Sequence, residues 1–267
     1  MKMKKPSYSI YRISFFLLIP IFFFACERIV ETLAPADFEY YPIEVGKYKV
    51  YQIDSIVYDE YNCTVQTAAF QIKEVTETET TDGEGDITYI IKRYFRKTSA
   101  DAWTLRNIWT EKIEANQVQR VEDNQRMIKM VSPMQENRRW DGIVYIRRDT
   151  LVPIRGGSID MFKDWDDFVC DNIGNSFVDT LSNIVYPDVA KVIQVDKTNN
   201  IERRFSTEVY AKNIGLVYKE MRILDTQCRP RGTCTGNSDI ASCIGTPWYL
   251  KAEKGFILKQ SLIEHNY

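Results

Sequence analysis

Residues 216–224, LVYKEMRIL, alternate cleanly. Leu216, Tyr218, Glu220, Arg222 and Leu224 fall on one side, and Val217, Lys219, Met221 and Ile223 on the other. A side-chain period of two is the mark of a strand. The same period recurs along the chain. Tyr48–Tyr58 alternates with one slip near Tyr51, which predicts a β-bulge. Thr64–Thr76 puts Ala68, Phe70 and Ile72 on one face, and Ile87–Arg96 does so with Ile87, Tyr89, Ile91 and Phe95, interrupted by Arg93. Further strands are expected at 103–109, 118–121, 127–131, 143–146, 189–195, 201–210 and, as a final pair, 248–263. β-Branched and aromatic residues dominate these runs, as a pleated surface favours. The connections are short and rich in turn formers: Thr80–Asp86, Glu122–Asn124, Lys197–Asn200 and Asn213–Gly215. Short connections favour sequential antiparallel neighbours. The expected fold is mostly β: a single antiparallel meander forming a barrel, half-barrel or sandwich, with at most one or two short helices. Three stretches break the pattern. Ser132–Gly142 and Asp225–Thr246 read as loops. In Ile159–Val169 the spacing of Phe162, Trp165 and Val169 predicts a short helix or an aromatic-rich turn.

The N-terminus carries a different signal. Lys2, Lys4, Lys5 and Arg12 precede the apolar run Ile13–Ala25. That run is short of the about 20 residues a spanning helix needs, and Pro20 interrupts it. It reads as a removable leader. Phe23-Phe24-Ala25-Cys26 resembles a bacterial lipoprotein signal, in which the Cys26 thiol is acylated and becomes the mature N-terminus. The alternative is ordinary cleavage, for which Ala34-Pro35-Ala36 has the small-x-small pattern. The lipoprotein reading divides the chain into a signal at 1–25, a tether at 26–37 and one β domain at 38–267. Several acyl chains at about 0.8 kcal/mol per buried methylene anchor firmly.

The formal net charge is −2 over 267 residues. Residues 1–25 hold four basic residues and no acid, so their removal leaves −6. An acidic domain argues against a nucleic-acid partner, which needs a basic face. The six cysteines are Cys26, Cys63, Cys170, Cys228, Cys234 and Cys243. With Cys26 lipidated, the other five are disulfide candidates in an exported compartment. Five is odd, so one thiol is left over, and one bridge is expected among Cys228, Cys234 and Cys243. Their spacing contains no C-x2-C knuckle, and the single histidine, His265, lies near the C-terminus, so no metal site is expected.

The runs YYPIEVGKYKVYQIDSIVYDEYN (40–62), RRWDG (138–142), IERRFSTEVYAKNIGLVYKE (201–220) and KGFILKQSLIEH (254–265) resemble an uncharacterised family of Bacteroidota lipoproteins. The resemblance spans most of the mature chain and implies a lipid-anchored domain without assigning an activity. Against it, Thr226–Thr246 looks like an insertion. No acidic run follows Cys26, so the expected place is the outer membrane, periplasmic face first and cell surface second.

Two acidic clusters are candidate sites. Asp82, Glu84 and Asp86 alternate in a Gly-rich loop, as calcium ligands can, but the twelve-residue loop with its closing glutamate is absent and a hairpin tip is favoured. Asp164, Asp166 and Asp167 flank Trp165, as in a sugar site, though a solvated face is the simpler reading. No G-x-S-x-G, H-E-x-x-H or P-loop is present. Catalytic residues, metals and cofactors are therefore none. The expected function is a lipid-anchored envelope module that binds or scaffolds an envelope protein, lipid or glycan. The alternative is a periplasmic carrier of an apolar ligand in a half-barrel, and a glycan-active enzyme comes third.

Overall fold

The computed structural model describes residues 2–3, 38–230, 233 and 236–267. The leader, Cys26, the tether and Cys234 lie outside the described residues. Pro35–Tyr267 is one compact unit.

Six strands come first: β1 (Tyr48–Asp59), β2 (Thr64–Thr81), β3 (Ile87–Arg96), β4 (Thr104–Glu114), β5 (Gln117–Glu122) and β6 (Gln125–Val131). β7 (Arg139–Trp140) follows, then the separate hairpin of β8 (Leu151–Ile154) and β9 (Gly157–Asp160). The chain ends with β10 (Phe168–Asp179), β11 (Ile184–Thr198), β12 (Glu202–Ala211), β13 (Gly215–Asp225) and β14 (Lys254–His265). Two four-residue helices, α1 (Ile240–Cys243) and α2 (Trp248–Lys251), interrupt the connection into β14. All strands but β8 and β9 form one twelve-stranded antiparallel sheet in the order β6-β5-β4-β3-β2-β1-β14-β13-β12-β11-β10-β7. Two meanders are thus joined where the first strand pairs with the last.

The sheet is nearly closed into a barrel. Two bonds cross the remaining gap: Ile128 N–H donates to Gly142 O at 2.8 Å, and the Trp140 indole N–H to Ile128 O at 2.9 Å. The Phe168 ring packs against this seam. A Cβ on Gly142 would lie 2.1 Å from it. Gly142→Ala should therefore cost about 1–3 kcal/mol, the usual penalty for overpacking, with a lower urea midpoint and an unchanged denaturant slope. An unshifted midpoint would show that the seam yields.

The predicted bulge is present: the β1–β14 register shifts between Val50 and Tyr51. Two local expectations, at 143–146 and 248–251, are corrected, and of the two readings of 159–169 the aromatic-rich turn is the one present. Residues 143–146 form turns, not a strand. The Asp141 carboxylate accepts the Ile143 N–H at 3.1 Å, and Ile146 N–H bonds to Ile143 O at 2.8 Å. Residues 159–169 contain no helix. They comprise the end of β9, two turns and the start of β10. Phe162 and Trp165 are buried because their rings pack at 5.3 Å, with Trp165 at 5.9 Å from Phe168. Residues 248–251 are helical where a strand was expected. Pro247 has no N–H for a ladder, and its carbonyl accepts from Leu250 and Lys251 at 2.9 and 3.2 Å.

Paired residues share a face, so the registers say what lies inside. Ile72 is level with Tyr51 and Phe95, Glu74 with Lys49 and Arg93, Glu111 with Arg120, and Glu208 with Lys219. The interior therefore combines apolar side chains with charges. Arg120 contacts Glu74 at 2.8 Å and Glu122 at 3.1 Å and also pairs with Glu111 at 2.5 Å. Lys129 on β6 reaches Glu208 on β12 at 2.6 Å, and Lys219 on β13 reaches the same carboxylate at 3.0 Å. β6 and β12 are not neighbours in the sheet, so the Lys129–Glu208 pair spans the lumen. Arg93 adds a 2.8 Å bond to Glu74. Four cations thus face four carboxylates. Tyr41 and Tyr210 donate to Glu111 and Glu208, so the remaining lone pairs are used as burial demands.

The chain enters the sheet at one end, called the lower end here. There Asn213 N–H bonds to Glu39 O, and Gly46 N–H to Thr76 O. The turns β1–β2, β3–β4, β5–β6 and β11–β12 lie at the upper end. Residues 141–167 cover that end: Arg204, 1% exposed, donates to Asp160 O at 3.0 Å, and Lys163 pairs with Glu202 at 2.6 Å.

Candidate functional site

The connection between β13 and β14 folds back over the end of the β1–β2 hairpin. Four contacts fix it. Cys228 and Cys243 are disulfide-bonded. Glu253 accepts from Thr226 Oγ1 and from Arg229 N, each at 2.9 Å. The Arg229 guanidinium lies 3.3 Å from Glu60 and 3.2 Å from Glu253. Tyr58 donates to Tyr249 O at 3.2 Å. Asp239 caps the first turn of α1 by accepting from Ala241 N at 3.1 Å.

Between loop and hairpin lies a cavity of about 440 Å³, within the ordinary range for a small-ligand pocket. Tyr58, Val65, Pro230 and Leu250 give it apolar wall, and Thr64, Thr233 and Thr246 give it hydroxyls. Tyr249, 62% exposed, lies at its mouth. Lys251 lies in the wall over the Trp248 ring at 4.3 Å and donates to the carbonyls of Asn200 and Cys243 at 3.0 and 3.3 Å. Among the described residues no carboxylate pairs with it, and burial lowers its pKa.

The two carboxylates lining the cavity are already occupied. Asp59, 1% exposed, accepts from the Asn62 amide side chain at 2.8 Å and the Asn62 N–H at 3.0 Å. These bonds, with Arg155 nearby, hold its pKa below the usual range. Glu253 is taken up by Thr226 and Arg229. Both are committed to hydrogen bonds and ion pairs within the fold. The cleft presents a ring face, hydroxyls and one cation without a counter-charge.

The other candidates disperse. Asp82, Glu84 and Asp86 do converge, with one carboxylate oxygen of each within 4.8 Å of the others. The cation among them is Lys112, at 3.3, 3.5 and 3.2 Å, and it also reaches Glu114 at 3.2 Å. Burial works against its charge, but hydrogen bonds to Glu114, Asp86 and Asp82 outweigh it and raise its pKa. Asp164, Asp166 and Asp167 are exposed, Asp166 pairing with Lys197 at 2.8 Å, whereas Trp165 is 1% exposed. Ring and carboxylates share no surface. Cys63 is disulfide-bonded, and Cys170 is a free, buried thiol whose pKa burial pushes up to about 11. His265 is half-buried and accepts from Tyr267 N at 3.3 Å.

The tyrosines divide as strand tyrosines do. Tyr41, Tyr51, Tyr58, Tyr186 and Tyr210 are buried, while Tyr61 and Tyr249 face solvent. The lumen, where an apolar cargo would sit, is filled by Tyr51, Tyr210, Met130 and the ion-paired ladder. Among the described residues no helix is long and apolar enough to cross a membrane. Sequence reading missed the ladder, yet its signal was visible: Lys219 shares a face with Val217, Met221 and Ile223, and Arg93 interrupts an apolar one. No protein-family model, no curated protein and no solved structure matches the chain.

Proposed function

We propose that this protein is a lipid-anchored module of the cell envelope that binds a small, partly polar ligand in the disulfide-tied cleft. The observation that carries the reading is placement. The chain enters the sheet at its lower end, and the cleft opens at the upper end, between the β1–β2 turn and the cysteine loop. A tether at 26–37, acylated at Cys26, would then leave the cleft facing away from the lipid surface. The resemblance to Bacteroidota lipoproteins supports the same design. Saccharides are the ligand class that best suits an exposed tyrosine face, threonine hydroxyls and an unpaired ammonium. No reaction is assigned, since the carboxylates of the cleft are committed to structural bonds.

Two measurements test the two halves. Palmitate should label the wild type in cells and not Cys26→Ala; equal labelling ends the anchor. Binding of neutral and acidic oligosaccharides should raise the melting temperature of the purified protein, and Tyr249→Ala should abolish the rise without altering the unliganded midpoint. A rise that survives Tyr249→Ala would place the ligand elsewhere.

A further inference from the structure

We propose that the upper edge of β2 pairs with the same edge of a second copy of this chain. The inference goes beyond the cleft, whose wall shares Thr64 and Val65 with this edge.

β2 is longer than its neighbour. It pairs with β1 from Thr64 to Val75, but with β3 only from Gln71 to Thr81. Among the described residues, Thr64–Phe70 therefore has a strand on one side and none on the other. Seven residues at about 3.3 Å each give roughly 23 Å of open backbone donors and acceptors. Such edges usually carry a lysine, a proline or a bulge that discourages pairing. This one reads TVQTAAF, with no charge and no proline, and its register against β1 is unbroken. Thr64, Val65, Thr67, Ala68 and Ala69 are exposed.

Beside the edge is a notch whose floor is the end of β3 and the loop after it. Arg96, Lys97 and Arg106 surround that floor, and among the described residues none has an acidic partner within ion-pair distance. Arg96 donates to Gln71 at 2.7 Å and stacks on Trp103 at 4.2 Å. Arg106 lies over Phe70 and Phe95 at 5.8 and 5.6 Å. The loop's own acid, Asp101, is exposed and caps Thr98 at 2.8 Å, beyond ion-pair distance of these cations.

The projecting hairpin fits such a notch in length, and its tip carries an aromatic ring rather than a cation. An antiparallel pairing centred on Thr67 sets Thr67 against itself, Val65 against Ala69 and Thr64 against Phe70 of the other copy. The strand ends at Thr64, where Cys63 turns the chain away with φ 52°. The turn that follows presents Tyr61, 83% exposed, at the height of the partner's basic floor, where its ring face can stack on those cations. Both contacts occur twice by symmetry, as a closed two-fold interface requires. Nothing of like charge meets along the strand. A narrow edge contact of this kind gives weak, reversible association rather than an obligate dimer.

The test uses the full mature chain in detergent. Sedimentation velocity should show a concentration-dependent monomer–dimer equilibrium. Val65→Lys with Ala69→Lys puts like charges opposite each other and should leave a monomer. Val65→Lys with Ala69→Glu makes the facing pairs complementary and should restore the dimer. Thr67→Cys lies on the two-fold axis, where facing Cα atoms are about 4.5–5.5 Å apart, a span a disulfide bridges. It should form a covalent dimer under oxidised glutathione, and Gln66→Cys should not. Circular dichroism confirms that each variant is folded. A native chain monomeric throughout, a dimer indifferent to the paired lysines, or equal cross-linking at 66 and 67 would overturn the proposal.

Discussion

Arg120→Ala should be among the most damaging single changes in this chain, lowering stability by about 3–5 kcal/mol, the usual cost of stripping one partner from a buried ion pair. Arg120 serves Glu74, Glu111 and Glu122 at once, and its removal leaves three carboxylates in the lumen without their shared cation. For a domain of this size each kcal/mol moves the melting temperature by roughly 2–4 °C, so a fall of about 10 °C is expected by calorimetry. A cost below about 1 kcal/mol would mean that water screens the lumen as it screens surface pairs. Acid should reproduce the effect. Burial alone would raise the pKa of Glu208, but Lys129 and Lys219 outweigh it and hold the group at about 2, against an ordinary 4.5. Its contribution is complete above 4.5 and is lost as pH falls through about 2. Urea midpoints should therefore decline across that window in the wild type and decline less in Glu208→Gln. Parallel declines would relieve Glu208 of the role.

Cutting the Cys228–Cys243 bridge is the second large effect. It closes a sequence separation of 15 residues, for which loop-closure entropy gives about 3 kcal/mol. Cys228→Ser with Cys243→Ser should lose about that much and open the connection between β13 and β14 to protease. Arg229 and Glu253 would lose their fixed approach, and saccharide binding should go with them. An unchanged midpoint with an unchanged cleavage map would mean that the Glu253 contacts suffice.

Much of this fold is legible because a pleated strand writes its period directly into the chain. The meander, the bulge near Tyr51 and the turn at Lys197–Asn200 follow from alternation and turn chemistry alone. Alternation fails where burial is not one-sided. Residues 159–169 show a helical stripe because Phe162, Trp165 and Phe168 converge on one cluster from successive turns, not from a helix face. Residues 143–146 look like a strand because all the cues are apolar, while the deciding group is the Asp141 carboxylate. The ladder was hidden for a different reason. A lysine or glutamate at an inward position reads as an error in the pattern until its partner, eighty residues distant for Lys129 and Glu208, is in place. The cleft is the least legible part, since its walls come from a loop and a turn that only a disulfide and the β1–β14 pairing bring together.

That pairing also has a temporal consequence. β14 is the only strand joining the two meanders, and it is the last to be made. Until residues 254–265 have been made, the chain can form at most a six-stranded piece and a five-stranded piece, each with a bare margin where β14 belongs. Assembly of the twelve-stranded sheet therefore waits on residues 254–265, and a chain truncated before them would hold two mismatched fragments of one sheet.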